Sequence, residues 1–127
     1  MKGPSQAFMN QYKASKPFRE QFVTTSLSMA IAVQVRESRT QRGWTQHALA
    51  KKAGLSQATI TRLELGTTID CTVATLCKVA AAFECALMIR FISHSEFIEW
   101  IFSITCDGVS LVPTFLDEDK AFLEAQP

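Results

Sequence analysis

Residues 57–62 run Gln57, Ala58, Thr59, Ile60, Thr61, Arg62, which sets one carboxamide, two hydroxyls and one guanidinium around a short methyl side chain. Groups of this kind recognise planar polar edges and anions. A carboxamide pairs with adenine N6 and N7, a guanidinium with guanine O6 and N7 or with phosphate, and a methyl with the thymine methyl. Covalent chemistry is not on offer: the chain has no paired carboxylates, no Ser/His/Asp set and no phosphate-cradling glycine loop, so it is not expected to be an enzyme. The four cysteines, Cys71, Cys77, Cys85 and Cys106, form no CxxC, and His47 and His94 lie at no metal-finger spacing from them. No metal and no other cofactor is expected. Cys77 falls on the apolar face of a helix, so the thiols read as buried and free, with a redox switch as the alternative.

The elements that must position these side chains are legible in residues 45–66, TQHALAKKAGLSQATITRLELG. Thr45 is a good N-cap, and Leu49, Ala50 and Ala53 share one face of a helix that Gly54 stops. Leu55 is the apolar residue of a turn. Ser56 caps a second helix, to which Ile60 and Leu63 give an inward face before Gly66 ends it. Two helices of about ten residues or fewer, joined by a turn of about three to four residues with a Gly, have the geometry that reads DNA.

The spacing Thr45-Gln46, Leu49-Ala50, Ala53-Gly54-Leu55-Ser56-Gln57, Ile60, Glu64, Gly66 resembles the lambda repressor and Cro type of helix-turn-helix protein, the XRE family. The resemblance covers residues 35–83. It implies that Arg39, ahead of the motif, pairs with Glu64 at the end of the recognition helix, and that Gln46 hydrogen-bonds a phosphate. Arg42, Thr45 and Thr67 flank the motif as further candidate phosphate contacts. In this geometry the second helix enters the major groove, with Gln57, Ala58, Thr59, Thr61 and Arg62 as its reading surface. Gln57 either bonds adenine or braces a neighbouring contact; Arg62 reaches either guanine or phosphate. Two departures from the family pattern stand out: Ser38 replaces an aliphatic residue, and Leu65 replaces a polar one.

Taken in order, residues 1–16 are polar and expected to be a flexible segment, with a helix-turn-helix domain over 17–84 and a C-terminal part over 85–127. Ser15 and Pro17 start a small helix carrying Phe18, Phe22 and Val23. Lys13, Lys16 and Arg19 are the alternative reading of this region, as an arm reaching DNA. The next helix, 24–42, has Leu27, Ala30, Ile31 and Val35 as its inward stripe, and Trp44 staples the helix that follows. After a polar loop, Thr72 caps a helix with the stripe Val73, Leu76, Cys77, Ala80 and Phe83. The run 86–93, ALMIRFIS, suits a β-strand, which needs a partner: the same strand of a second copy or a segment near the N-terminus. A short amphipathic helix over 95–104, an apolar patch over 109–115 and an acidic cluster over 117–119 complete the chain.

At 127 residues the chain is long enough for one domain with extensions and a core without staples. No apolar run approaches the ~18–20 residues that span a bilayer, and the first residues do not form a signal peptide, so a cytoplasmic protein without membrane contact is expected. The net charge of +1 conceals an asymmetry: residues 1–64 hold ten Lys/Arg against three Asp/Glu (+7), and residues 65–127 three against nine (−6). Basic charge gathers where a phosphate-binding surface requires it. The expected protein is mainly α, a lambda-repressor-like helical bundle with a C-terminal β-strand and short helix. Its expected function is that of a transcriptional regulator, a repressor that binds a palindromic operator in double-stranded DNA. It is expected to act as a homodimer through Leu87, Ile89 and Phe91. The alternative is an antitoxin that also binds a toxin protein.

Overall fold

A computed structural model describes residues 3–67, 70–107 and 117–127 of the chain. The elements, in order, are α1 (Gln6–Ala14), α2 (Lys16–Gln41), α3 (Gln46–Ala53), α4 (Gln57–Leu65), α5 (Val73–Ala82), α6 (His94–Asp107) and α7 (Asp117–Glu124). The apolar patch expected over 109–115 lies outside the described residues.

The spine is α2, a single helix of 26 residues, about 39 Å long at the α-helical rise. Its start is the expected one, with Ser15 accepting from the Phe18 N–H at 3.2 Å. The break expected before Thr24 does not occur. The Thr and Ser residues there are absorbed into the helix; the Ser28 hydroxyl, for instance, donates to the Thr24 carbonyl one turn back at 3.1 Å. One end of this spine packs against the motif, the other against α1 and α6.

The first core joins Val35, Leu49, Ala50, Ile60, Leu63, Val79 and Phe83, with Ile31, Trp44, Leu55 and Leu76 packed around it. It holds α2, α3, α4 and α5 together. The inward stripe of α5 is rotated from the expected one. Leu76, Val79, Ala80 and Phe83 face in, whereas Val73 is 57% exposed and Cys77 is exposed. The stripe is anchored by its most buried pair, Val79 and Phe83, and this turns Cys77 outward. Leu27 is likewise partly exposed rather than inward, while the small side chains Ser26, Ser28 and Ala32 are buried.

The second core is aromatic. Phe22, Val23 and Ala30 of α2 meet Phe97, Ile101 and Phe102 of α6. Residues 6–14, expected as part of a flexible segment, form α1 instead, capped by Ser5. Phe8 and Tyr12 lie on one face of α1, and the ring centroid of Phe8 is 4.9 Å from that of Phe22 and 5.8 Å from that of Phe102. Tyr12 is buried, its hydroxyl is hydrogen-bonded to His94 Nδ1, and burial raises its pKa above the ordinary phenol value. Arg19 donates to the Tyr12 and Lys13 carbonyls at the end of α1 (2.8 and 3.1 Å). This residue, part of the possible DNA-reaching arm, caps a helix instead.

Between α5 and α6, residues 86–93 belong to no helix and no strand, and no β-sheet occurs among the described residues. The expected strand is corrected on this point: a ladder needs a neighbour, and the N-terminal segment, being helical, supplies none. The segment is tethered at both ends. At its start the chain leaves α5 through Glu84, a non-glycine residue at φ 57°, and the Cys85 N–H donates to the Ala80 carbonyl at 3.0 Å. At its end, Ser93 Oγ accepts from the Glu96 N–H, and Arg90 reaches Glu96 at 2.9 Å. Its apolar side chains stand in solvent, with Ile89 62% and Phe91 102% exposed.

Candidate nucleic-acid interface

The helix pair is fixed at four backbone points. Thr45 Oγ1 accepts from the Ala48 N–H and Ser56 Oγ from the Thr59 N–H, so both N-caps are those the sequence indicates. Gly54 and Gly66 close the two helices in the left-handed region, at φ 68° and 70°. Gly66 has a second reason to lack a side chain: a Cβ there would stand 2.9 Å from the Ala32 Cβ of α2. The exit of α4 therefore lies directly on the spine.

A charged pair ties the same two elements. Arg39 of α2 donates to both oxygens of Glu64, Nε to Oε2 at 2.7 Å and Nη2 to Oε1 at 2.9 Å, and its Nη1 donates to the Trp44 carbonyl at 2.8 Å. The Glu64 side chain is only 4% exposed. Such a bidentate, nearly dry contact is the strong form of ion pair, and its hydrogen bond raises the Arg39 pKa further. Gln46 extends the network. Its Nε2 donates to Glu64 Oε1 at 3.2 Å, and its Oε1 accepts from the Thr61 hydroxyl at 2.8 Å.

The residues proposed to read bases separate into two groups. Gln57, Ala58 and Arg62 are exposed on α4. Arg62 lies 3.8 Å from Asp70, both more than two-fifths exposed, a pair weak enough to exchange for another anion. Thr59 and Thr61 are half-buried and already engaged. The Thr59 hydroxyl is 2.8 Å from that of Ser56, and Thr59, like Arg62, borders a cavity of about 140 Å³ with Cys71, Thr72 and Thr75. Thr61 faces Gln46.

The phosphate candidates are likewise divided. Thr45 and Thr67 are exposed at the two ends of the pair, and Gln46 is half-buried at the start of α3. Arg42 is engaged within the chain. Its guanidinium donates to the Ser38 carbonyl at 2.9 Å and the Phe83 carbonyl at 3.2 Å, and lies 4.7 Å from the Phe83 ring centroid. It thus joins the C-terminal ends of α2 and α5, where the helix dipoles favour a cation. Trp44 stacks on Phe83, and Lys52 lies 4.7 Å from the Trp44 ring centroid. The link between Gln46 and Thr61 and the link between Arg62 and Asp70 carry no signal in the sequence, because neither spacing is a helical neighbour distance.

Ser38, buried completely, has a hydroxyl without a hydrogen-bond partner. The thiols of Cys71 and Cys85 are half-buried, and burial pushes both above the ordinary thiol value. Among the described residues, no helix is long and apolar enough to cross a membrane.

The fold and this surface define a helix-turn-helix DNA-binding domain. Residues 35–88 match a helix-turn-helix family model of the XRE, lambda repressor and Cro-like kind, and a segment of this kind supports a DNA-binding regulator of that type. No curated protein and no solved structure matches the chain.

Proposed function

We propose that the protein is a sequence-specific transcriptional repressor that occludes its promoter by binding a palindromic operator as a homodimer, and that it is not an enzyme. The observation that carries this reading is the exposed row Gln57, Ala58, Arg62 on a helix held by the Arg39–Glu64 pair. A reading surface on a clamped helix loses little freedom on binding. Gln57 supplies the bidentate contact and Ala58 a methyl contact. Arg62 leaves Asp70 for guanine or phosphate. Thr45, Thr67 and the free N–H of Gln46 address the backbone.

One recognition helix covers only a few base pairs, so affinity requires two, set about 34 Å apart. The tethered segment 86–93 supplies the contact between copies. Leu87, Ile89 and Phe91 present apolar surface to solvent, and no described residue covers them. Two-fold packing removes both copies from water.

The test is binding to duplexes selected from random DNA. With three to five phosphates neutralised per protomer, the log–log salt slope should be about −3 to −5 per protomer. Affinity that is flat between low and physiological salt would remove the reading. Ile89→Asp should give monomers in sedimentation and lose the palindrome. A variant that stays dimeric and binds normally would exclude this segment as the interface. A wild type that sediments as a monomer would instead assign the segment to a partner protein, as in an antitoxin.

A further inference from the structure

Resting on the DNA-binding reading, we propose that Thr61 is a positioning residue rather than a base reader, whose hydroxyl fixes the amide of Gln46 so that its remaining N–H points at a DNA phosphate. The polarity of the network leaves one arrangement. The Glu64 carboxylate only accepts, and both its oxygens already receive the Arg39 guanidinium. The Gln46 group facing it must therefore be the NH₂, bonded at 3.2 Å. The Gln46 carbonyl is then turned to Thr61, which must donate, and does so at 2.8 Å. One N–H of Gln46 is left over.

A contact to Glu64 alone does not fix the amide plane, because the last torsion of a glutamine is broad and roughly two-fold. Thr61 supplies the second point that defines it. Spent in this way, and half-buried, the Thr61 hydroxyl has no donor left for a base edge. The order of dependence is Arg39 on Glu64, Glu64 on the Gln46 nitrogen, and Thr61 on the Gln46 oxygen. A charged clamp deep in the fold thereby sets the direction of a neutral donor at its surface.

The experiment compares Thr61→Val, which keeps the shape, with Thr61→Ser, which keeps the hydroxyl. Both are titrated with the duplex selected by the wild type and with a random-sequence duplex. Thr61→Val should lose about 3- to 10-fold on both duplexes alike, the worth of one neutral hydrogen bond. The salt slope should be unchanged, since a neutral donor releases no counterion. Thr61→Ser should restore binding. Gln46→Ala should show a similar loss, and adding Thr61→Val to it should cost nothing more. In the free protein, the two Gln46 side-chain amide protons should give widely separated NMR signals, one bonded to Glu64 and one open to solvent, whose separation narrows toward that of a free glutamine in Thr61→Val. A loss confined to the selected duplex and additive with Gln46→Ala would make Thr61 a base reader and overturn the proposal. Unchanged binding or unchanged Gln46 signals would overturn it as well. Failure of the wild type on both duplexes would bring down the DNA-binding reading and this inference with it.

Discussion

The two ends of α2 are held by different means. At the C-terminal end, mostly aliphatic side chains from four consecutive helices pack over short connections, and a buried ion pair sets the register of the recognition helix. At the N-terminal end the contacts are aromatic and join pieces far apart in the chain: Phe8 and Tyr12 from α1, Phe22 from α2, Phe97 and Phe102 from α6. The first arrangement holds a surface in a defined direction. The second closes the chain on itself and tethers the far end of the exposed segment 86–93. Direction is a matter of charge and hydrogen bonds; closure needs only area.

The sharpest way to break this division is Glu64→Ala. It leaves the Arg39 guanidinium in a site only 14% exposed without its counter-ion, and should cost about 3–5 kcal/mol in denaturant unfolding. DNA affinity should collapse along with it, whereas the aromatic end should keep its slow amide exchange. Phe97→Ala makes the reciprocal test. Loss of this buried ring should cost about 3 kcal/mol and release α1 and α6 to fast exchange, while residues 35–83 stay protected and still bind DNA as single sites. Equal loss of protection at both ends would show one cooperative unit instead of two.

Smaller changes sharpen the picture within the first core. Gly66→Ala forces an L-residue to φ 70° and places a methyl 2.9 Å from Ala32; it should destabilise by about 2 kcal/mol, combining left-handed strain with overpacking. A cost near zero would show that α4 is not pressed on α2. Ser38→Ala runs the other way. The buried hydroxyl has no partner, so its removal should stabilise by about 1 kcal/mol, read as a higher urea midpoint at unchanged m-value. Destabilisation would mean that the hydroxyl is satisfied after all.

Much of the first end was legible beforehand. Thr45, Gly54, Ser56 and Gly66 act within a turn or two of their own positions, so their caps and stops follow from residue type. Arg39 and Glu64, 25 residues apart, were joined by resemblance to a family and not by any local rule. The aromatic end was not legible, since nothing at Phe8 announces that Phe102 will meet it. Without that partner, a polar segment with two aromatic residues reads as a loose tip.

The sequence by itself determined the helix pair, its caps, the exposed positions Gln57 and Arg62, and the apolar character of residues 86–93. These depend on periodicity and on backbone preferences that operate over a few residues. Only the tertiary structure decided that Thr59 and Thr61 are half-buried and engaged, that Arg42 joins two helix ends, that Cys77 is outside and that residues 86–93 stay unpaired among the described residues. Each of these is a question of which neighbour arrives on a given side. Hydrogen-bond polarity and packing between distant elements answer it, and no spacing along the chain encodes it.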